Sequence, residues 1–337
     1  MSTTAAAPSP SATDAAFPLF AVLSWGAMFP ILSTALVTVD AFNLTAVRYL
    51  LAAGILVGIL AWRESPAALR PAGRAGEVLV LGVLGFASFN LLTNLALGVA
   101  SPQNVALFAA TTPVITQFVR WARDGVRPSP LLVGLSAVAF AGVGLVLTRG
   151  RLDGLAAIGG GELVMLAAVV SWAIYAHGSS RFPAWSPLRY TALTSVAGTL
   201  AIVAAALVAD LAGWQRLPAV ADLGAVAPQL TYLVLVAAVA AVLAMNTGAR
   251  RLGPANAALY MNLVPVVTFA VQIARGHRPL AVELAGAALT VAALVAANLT
   301  MRRPATPAPV AVDHLPISPA ALMPRAPRLR SHPGIWS

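Results

Sequence analysis

The chain has 337 residues, 59% of them hydrophobic and only 9% charged, with a net charge of +10 carried by arginine alone, since it has no lysine and no cysteine. A soluble domain is about one-quarter charged, so this composition excludes a soluble globular protein and points to a polytopic membrane protein. Missing cysteines exclude disulfides and thiolate metal sites, and the arginines form no basic face interleaved with aromatics, so no nucleic-acid partner is expected.

Residues 1–16 carry no Arg or Lys ahead of the first apolar run, so they lack the charged start of a secretory signal and are predicted to be a disordered N-terminal segment. A membrane-crossing helix needs about 20 mostly apolar residues. Ten windows meet that need, at 17–39, 44–62, 77–97, 101–121, 130–148, 161–180, 188–210, 228–249, 254–274 and 279–301. Residues 302–337 are rich in Pro and Arg and cannot bury a core, which predicts a disordered tail. Ten spans put both termini on one side. Most arginines then fall on that side, in the loops near 63–74, 120–127, 181–189 and 250–251 and in the tail. By the positive-inside rule that side is the cytoplasm, and the expected location is the plasma (inner) membrane.

The chain also contains two copies of one unit. NLALGVASPQNVALFAATTPV, starting at Asn94, returns as NTGARRLGPANAALYMNLVPV, starting at Asn246. At one constant offset Asn94 lies over Asn246, Pro102 over Pro254, Asn104 over Asn256, Phe108 over Tyr260 and Pro113 over Pro265. The offset covers five spans, and an odd number forces the second copy into the membrane upside down. The predicted fold is therefore an all-α integral membrane protein of ten transmembrane helices, arranged as two inverted five-helix repeats at 17–150 and 161–301. Inverted repeats recur in transporters, which bind substrate near the midplane between the halves.

SWGAMFP and SWAIYAH open the two units, VRYLLAAG lies in span two, and NVALFAATTPV and NAALYMNLVPV occupy the fourth helix of each unit. In their order and spacing these motifs resemble the EamA-type transporters of the drug/metabolite transporter superfamily, over about residues 17–301. The resemblance implies two five-helix EamA units moving small metabolites through a cavity between the halves. In one respect the chain departs from that pattern. The acidic residue that often precedes Pro in the ninth helix is here Val264, which leaves carboxylate-dependent cation recognition at that point without its carboxylate.

Helical rise places Trp25, Asn90, Thr111, Thr112, Trp172, Tyr175 and Asn262 near the midplane, with Phe108 and Tyr260 about one turn away. These are the candidate substrate-binding residues: aromatic walls suited to a flat or amphipathic ligand, with Asn and Thr groups to orient it. Core packing and interhelical hydrogen bonding are the alternative uses of the same residues. Pro30, Pro113 and Pro265 are candidate helix kinks, each freeing a backbone carbonyl that hydrocarbon tolerates only beside protein or a watery cavity. Asn94, Asn104, Asn246 and Asn256 flank the span 3–4 and span 8–9 hairpins, where they either cap the turns or act as paired gates. Small residues in spans two and five, Gly54, Gly58, Gly134 and Gly142 among them, suit close helix packing within the chain or in a homodimer.

No charge is expected near the centre, because Arg48 can snorkel outward; this favours neutral, zwitterionic or aromatic substrates. His177 is the one titratable candidate for proton coupling. No nucleotide loop, HExxH or GxSxG occurs, and neither cofactor nor metal nor catalysis is expected. The leading function is a secondary, non-ATP exporter of amino-acid-like or drug-like metabolites. The alternatives are a non-transporting scaffold or sensor and, behind it, an intramembrane enzyme.

Overall fold

The structure is a computed structural model and describes residues 12–100, 105, 108–109, 111–151, 159–276 and 278–301. Asn104 and the tail from 302 lie outside the described residues. The described secondary structure is helical throughout. Among the described residues seven helices are long and apolar enough to cross a membrane, and Pro130–Val146 and Ala281–Ala297 are shorter apolar helices.

In chain order the helices are α1 Ala12–Ala35, α2 Ala41–Arg63, α3 Ala75–Val99, α4 Thr112–Asp124, α5 Pro130–Thr148, α6 Gly160–Gly178, α7 Pro187–Leu211, α8 Ala227–Leu252, α9 Asn256–Ala274 and α10 Ala281–Met301. Their ends follow from local chemistry. Asp40 caps α2 by accepting the Phe42 and Asn43 N–H groups, each at 2.9 Å. Ser186 caps α7 by accepting the Arg189 N–H at 2.9 Å, ahead of Pro187 in its first turn. Such caps satisfy amide donors that a helix start leaves free. Gly125, at φ 70°, ends α4 in the left-handed conformation that glycine adopts without strain. The sequence reading starts the first helix too late. It begins at Ala12, inside the segment expected to be disordered, and Asp14 there pairs with Arg251 at the end of α8 (2.9 Å).

The packing has a plain order. If each helix is exchanged for the one five places along, the main contacts map onto themselves: α1 with α8 becomes α6 with α3, α1 with α9 becomes α6 with α4, and α2 with α8 becomes α7 with α3. The crossings α2 with α7 and α5 with α10 map onto themselves. Local geometry repeats as well. Helix α3 is π-helical over Val83–Ser88 and α8 over Tyr232–Ala240, and the two stretches coincide at the offset that relates Asn94 to Asn246.

Glycines set the tightest crossings. Gly142 of α5 and Gly286 of α10 face each other's backbone, and so do Gly82 of α3 and Gly198 of α7; a side chain on any of the four would collide. These seams lie within the chain, whereas Gly54, Gly58 and Gly134 meet nothing within 4 Å. Leu50, Leu51, Trp62, Leu200 and Leu207 point outward, as suits a surface solvated by lipid.

Candidate functional site

The interior is built on an aromatic chain. Trp25 of α1 and Trp172 of α6, matched residues of the two units, meet edge to face with ring centroids 5.3 Å apart. Trp172 also contacts Phe89 and Tyr175, each at 5.2 Å. Tyr175 continues to Phe86 at 5.4 Å and stacks on Tyr190 at 5.2 Å. Edge-to-face and offset arrangements of this kind are the favoured ones for ring quadrupoles.

The two tryptophans are held differently. Trp25 donates its indole N–H to the Ala237 carbonyl at 3.0 Å, inside the π-helical stretch of α8. Among the described residues the Trp172 indole N–H donates to nothing. Tyr190 donates its hydroxyl to the Tyr175 carbonyl at 2.7 Å. A π-helical turn misaligns carbonyls from the helical ladder, which makes them available to side chains.

The same π-helical stretch takes a second donor one turn away. Arg48 of α2 donates Nε–H to the Leu233 carbonyl at 3.2 Å, directs Nη2 at the Met28 sulfur at 3.4 Å, and has its guanidinium 4.9 Å from the Tyr49 ring centroid. It is only 2% exposed and Nη1 has no partner. The expectation that Arg48 snorkels to the surface is therefore corrected. Eight residues into α2, its stem turns inward against α1 and α8, and a full positive charge lies inside the bundle.

The prolines free carbonyls as expected, and protein groups meet them. Pro113 cannot donate to the Ala109 carbonyl, which accepts from the Thr112 hydroxyl at 2.5 Å. Pro30 cannot donate to the Gly26 carbonyl, and there Thr268 reaches across from α9 with its hydroxyl at 2.8 Å. The Met261 carbonyl, four residues before Pro265, takes the Leu263 N–H.

Asn94 and Asn246 do not cap hairpins. Each is 2% exposed and ties its helix to the preceding one: Asn94 donates to the Thr45 hydroxyl at 2.7 Å, and Asn246 to the Thr191 hydroxyl at 2.6 Å and the Tyr175 hydroxyl at 2.9 Å. Asn256 bonds the Leu252 carbonyl at 2.6 Å, bridging the turn between α8 and α9. Asn90 spends its amide on the Phe86 carbonyl (2.8 Å), and Thr111 donates to the Phe108 carbonyl (2.6 Å). Asn262 is 1% exposed with its side-chain oxygen unpartnered. Phe108 lies apart from the aromatic chain, its ring 6.3 Å from Phe140; Tyr260 is buried.

The cavities open on the face where α1 begins. One of about 320 Å3 lies between α4, α6 and the α8–α9 turn, lined by Thr116, Arg120, Asp124, His177, Ser180 and Asn256. His177 pairs there with Asp124 at 3.2 Å. A neighbouring cavity of about 290 Å3 shares His177 and Asp124. Sequence reasoning reached His177, counted Arg120 among the loop arginines and did not single out Asp124.

The profile of the EamA-like transporter family matches twice, at residues 15–148 and 159–299. The chain belongs to the EamA-like transporter family. Among the proteins it resembles are two from Bacillus subtilis (strain 168). "Uncharacterized transporter YrdR" is 28% identical over 293 residues, covering 85% of this chain and 91% of the relative. "Uncharacterized transporter YyaM" is 29% identical over 263 residues, covering 76% and 84%. An "Uncharacterized transporter" of Archaeoglobus fulgidus is 27% identical over 252 residues, covering 73% and 83%. A solved crystal structure has the same fold, with a TM-score of 0.66 at 21% identity over 87% of this chain and 99% of its own. In this EamA protein Val264 is fully buried and its carbonyl faces Gly26, so the position before Pro265 is a packing contact between α9 and α1. The protein is thus a multi-pass membrane transporter of the EamA type.

Proposed function

We propose that the chain is a ten-span secondary carrier, built as two inverted five-helix units with both termini in the cytoplasm, that exports small metabolites across the plasma membrane by alternating access. The carrying observation is a difference between two matched helix contacts. At the α1–α9 contact Gly26, Thr268 and Val267 are packed without space, and a side chain at Gly26 would collide with Val267. At the matched α4–α6 contact Thr116 instead lines a cavity. The first contact lies toward the face where α1 ends and the second toward the face where α1 begins. The difference supports reading the chain as a carrier closed outside and open inside, and exchange of the two states is how inverted repeats alternate access.

Substrate then lies against Trp25, Trp172 and Tyr175, with Asn90, Thr111, Thr112 and Asn262 as polar contacts and Phe108 and Tyr260 as further apolar surface. In the closed state these residues pack on one another, and they separate when substrate enters. An aromatic wall favours flat or amphipathic compounds. Asn94 and Asn246 hold the helices that move, and Asn256 sits at the inner mouth.

Proteoliposome flux with amino acids, nucleobases and aromatic amines tests the function. Movement of at least one class without ATP is expected, and no flux by folded protein would replace the carrier by a non-transporting scaffold. Because the chain has no cysteine, a cysteine introduced at Arg70 tests the orientation. Membrane-impermeant reagent is expected to label it only from the cytoplasmic side; labelling from outside would invert the topology.

A further inference from the structure

Resting on the carrier reading, we propose that Arg48 is a substrate-binding residue and that the substrate carries a carboxylate, so the anion rather than the ring selects what enters the aromatic site. Three observations meet at this side chain. It is buried, with no carboxylate of the described residues in salt-bridge range and with Nη1 unpartnered. Its two bonded groups meet a neutral carbonyl and a thioether sulfur, neither of which compensates a charge. It also lies next to the aromatic chain: Arg48 and Trp25 hold carbonyls one turn apart on α8, at Leu233 and Ala237, and Met28, which Arg48 touches, is on the same helix as Trp25.

Removing a charge from water without a counter-charge is strongly unfavourable, and inside a membrane such residues are kept where function uses them. About 10 Å of helix separates Arg48 from the start of α2. That is within the length of an arginine side chain plus local thinning, yet the stem turns inward. The inward direction leaves Nη1 without a partner, and Nη1 with the second Nη2 hydrogen makes the edge that pairs bidentately with a carboxylate once substrate enters. Asp40 and Asp210, acidic groups near that end of α2 and α7, each accept from the Asn43 amide, at 2.9 and 3.0 Å; Asp210 Oδ2 has no partner, and neither carboxylate is in salt-bridge range of Arg48. An organic acid or amino acid with an aromatic or apolar side chain fits both halves of the site.

Three probes share one ring and chain and differ in the terminal group: 3-phenylpropionate, phenethylamine and 2-phenylethanol. Melting of the full-length protein in detergent is followed with each. The carboxylate is expected to raise the melting temperature at concentrations at least tenfold below those needed for the other two. Arg48→Met is expected to erase that preference, and Arg48→Lys to retain part of it. A carboxylate no better than the alcohol in the native protein overturns the inference, even where Arg48→Met does not fold, and so does a preference that survives Arg48→Met. Proteoliposome flux separates this from the carrier reading. Flux of the amine or alcohol without carboxylate preference leaves a carrier with the wrong substrate assigned, whereas no flux of any probe or of the metabolite panel removes the carrier itself.

Discussion

Thr268 on α9 donates its hydroxyl to the Gly26 carbonyl on α1 at 2.8 Å, and that carbonyl is free because Pro30, one turn on, has no N–H to offer it. The bond joins the two units at their closed contact. Thr268→Val keeps the shape and removes the donor, so it is expected to cost about 1–3 kcal/mol, the range for a buried acceptor left unmatched. Adding Pro30→Ala restores a helical N–H for Gly26, and the double variant is expected to recover part of the loss. Melting of the four proteins of this cycle measures the coupling; strict additivity would show that the bond is not what matters.

Gly26 itself tolerates no side chain, since a methyl there meets Val267 and stands 2.9 Å from the Val264 carbonyl. Gly26→Leu is expected to wedge α1 from α9, destabilising by about 1–3 kcal/mol and opening the contact between them. Labelling of a cysteine introduced at Val267 reports the opening.

The unequal fixing of the two tryptophans gives another test. Trp25→Phe removes the donor to Ala237 and is expected to cost about 1 kcal/mol, while Trp172→Phe loses no hydrogen bond among the described residues and is expected to melt close to the native protein. Substrate affinity should order differently. In a working flux assay, Trp172→Ala together with Trp25→Ala is expected to weaken binding at least tenfold, and unchanged affinity would remove the aromatic wall from the site.

Asn94 and Asn246 act on Thr45 and Thr191 in matched fashion. Thr45→Val and Asn94→Ala are expected to cost about 0.6–1.7 kcal/mol each, as interhelical hydrogen bonds in membranes do, and the pair to cost little more than either alone. Asn246→Ala is expected to cost more than Asn94→Ala because its second bond, to the Tyr175 hydroxyl at 2.9 Å, is shorter than the second bond of Asn94, to the Ala41 carbonyl at 3.4 Å. Equal losses, read by thermal melting, would contradict this difference between the second bonds.

Helix positions were legible because they depend on local composition. The window 130–148 coincides with α5, and 188–210 lies one residue inside each end of α7. The central position of the two tryptophans was read from their matched places in the two units; that their rings meet edge to face depends on how α1 and α6 approach each other. The direction of Arg48 was not legible, because depth along α2 is a local property while facing inward depends on a π-helical stretch of α8 that presents the Leu233 carbonyl. Asn94 was misread for a related reason. Its place near the end of α3 suggested a turn, but its partner Thr45 is on a helix whose approach only tertiary packing fixes. The segment before Ala12 and the tail from 302 lie outside the described residues, so their readings stand as expectations.

The most extensive helix contacts, α5 with α10, α1 with α8, α3 with α6, α3 with α7 and α2 with α7, all join the first unit to the second. A single unit therefore leaves the membrane with its main seams unfilled and behaves as half of an obligate dimer whose subunits happen to share one chain. The energetics are those of association at a fixed, very high local concentration. Insertion of α10 then completes the last and largest seam, so truncation anywhere before Gly286 leaves Gly142 facing lipid instead of backbone and removes a whole crossing at once, not a fraction of it.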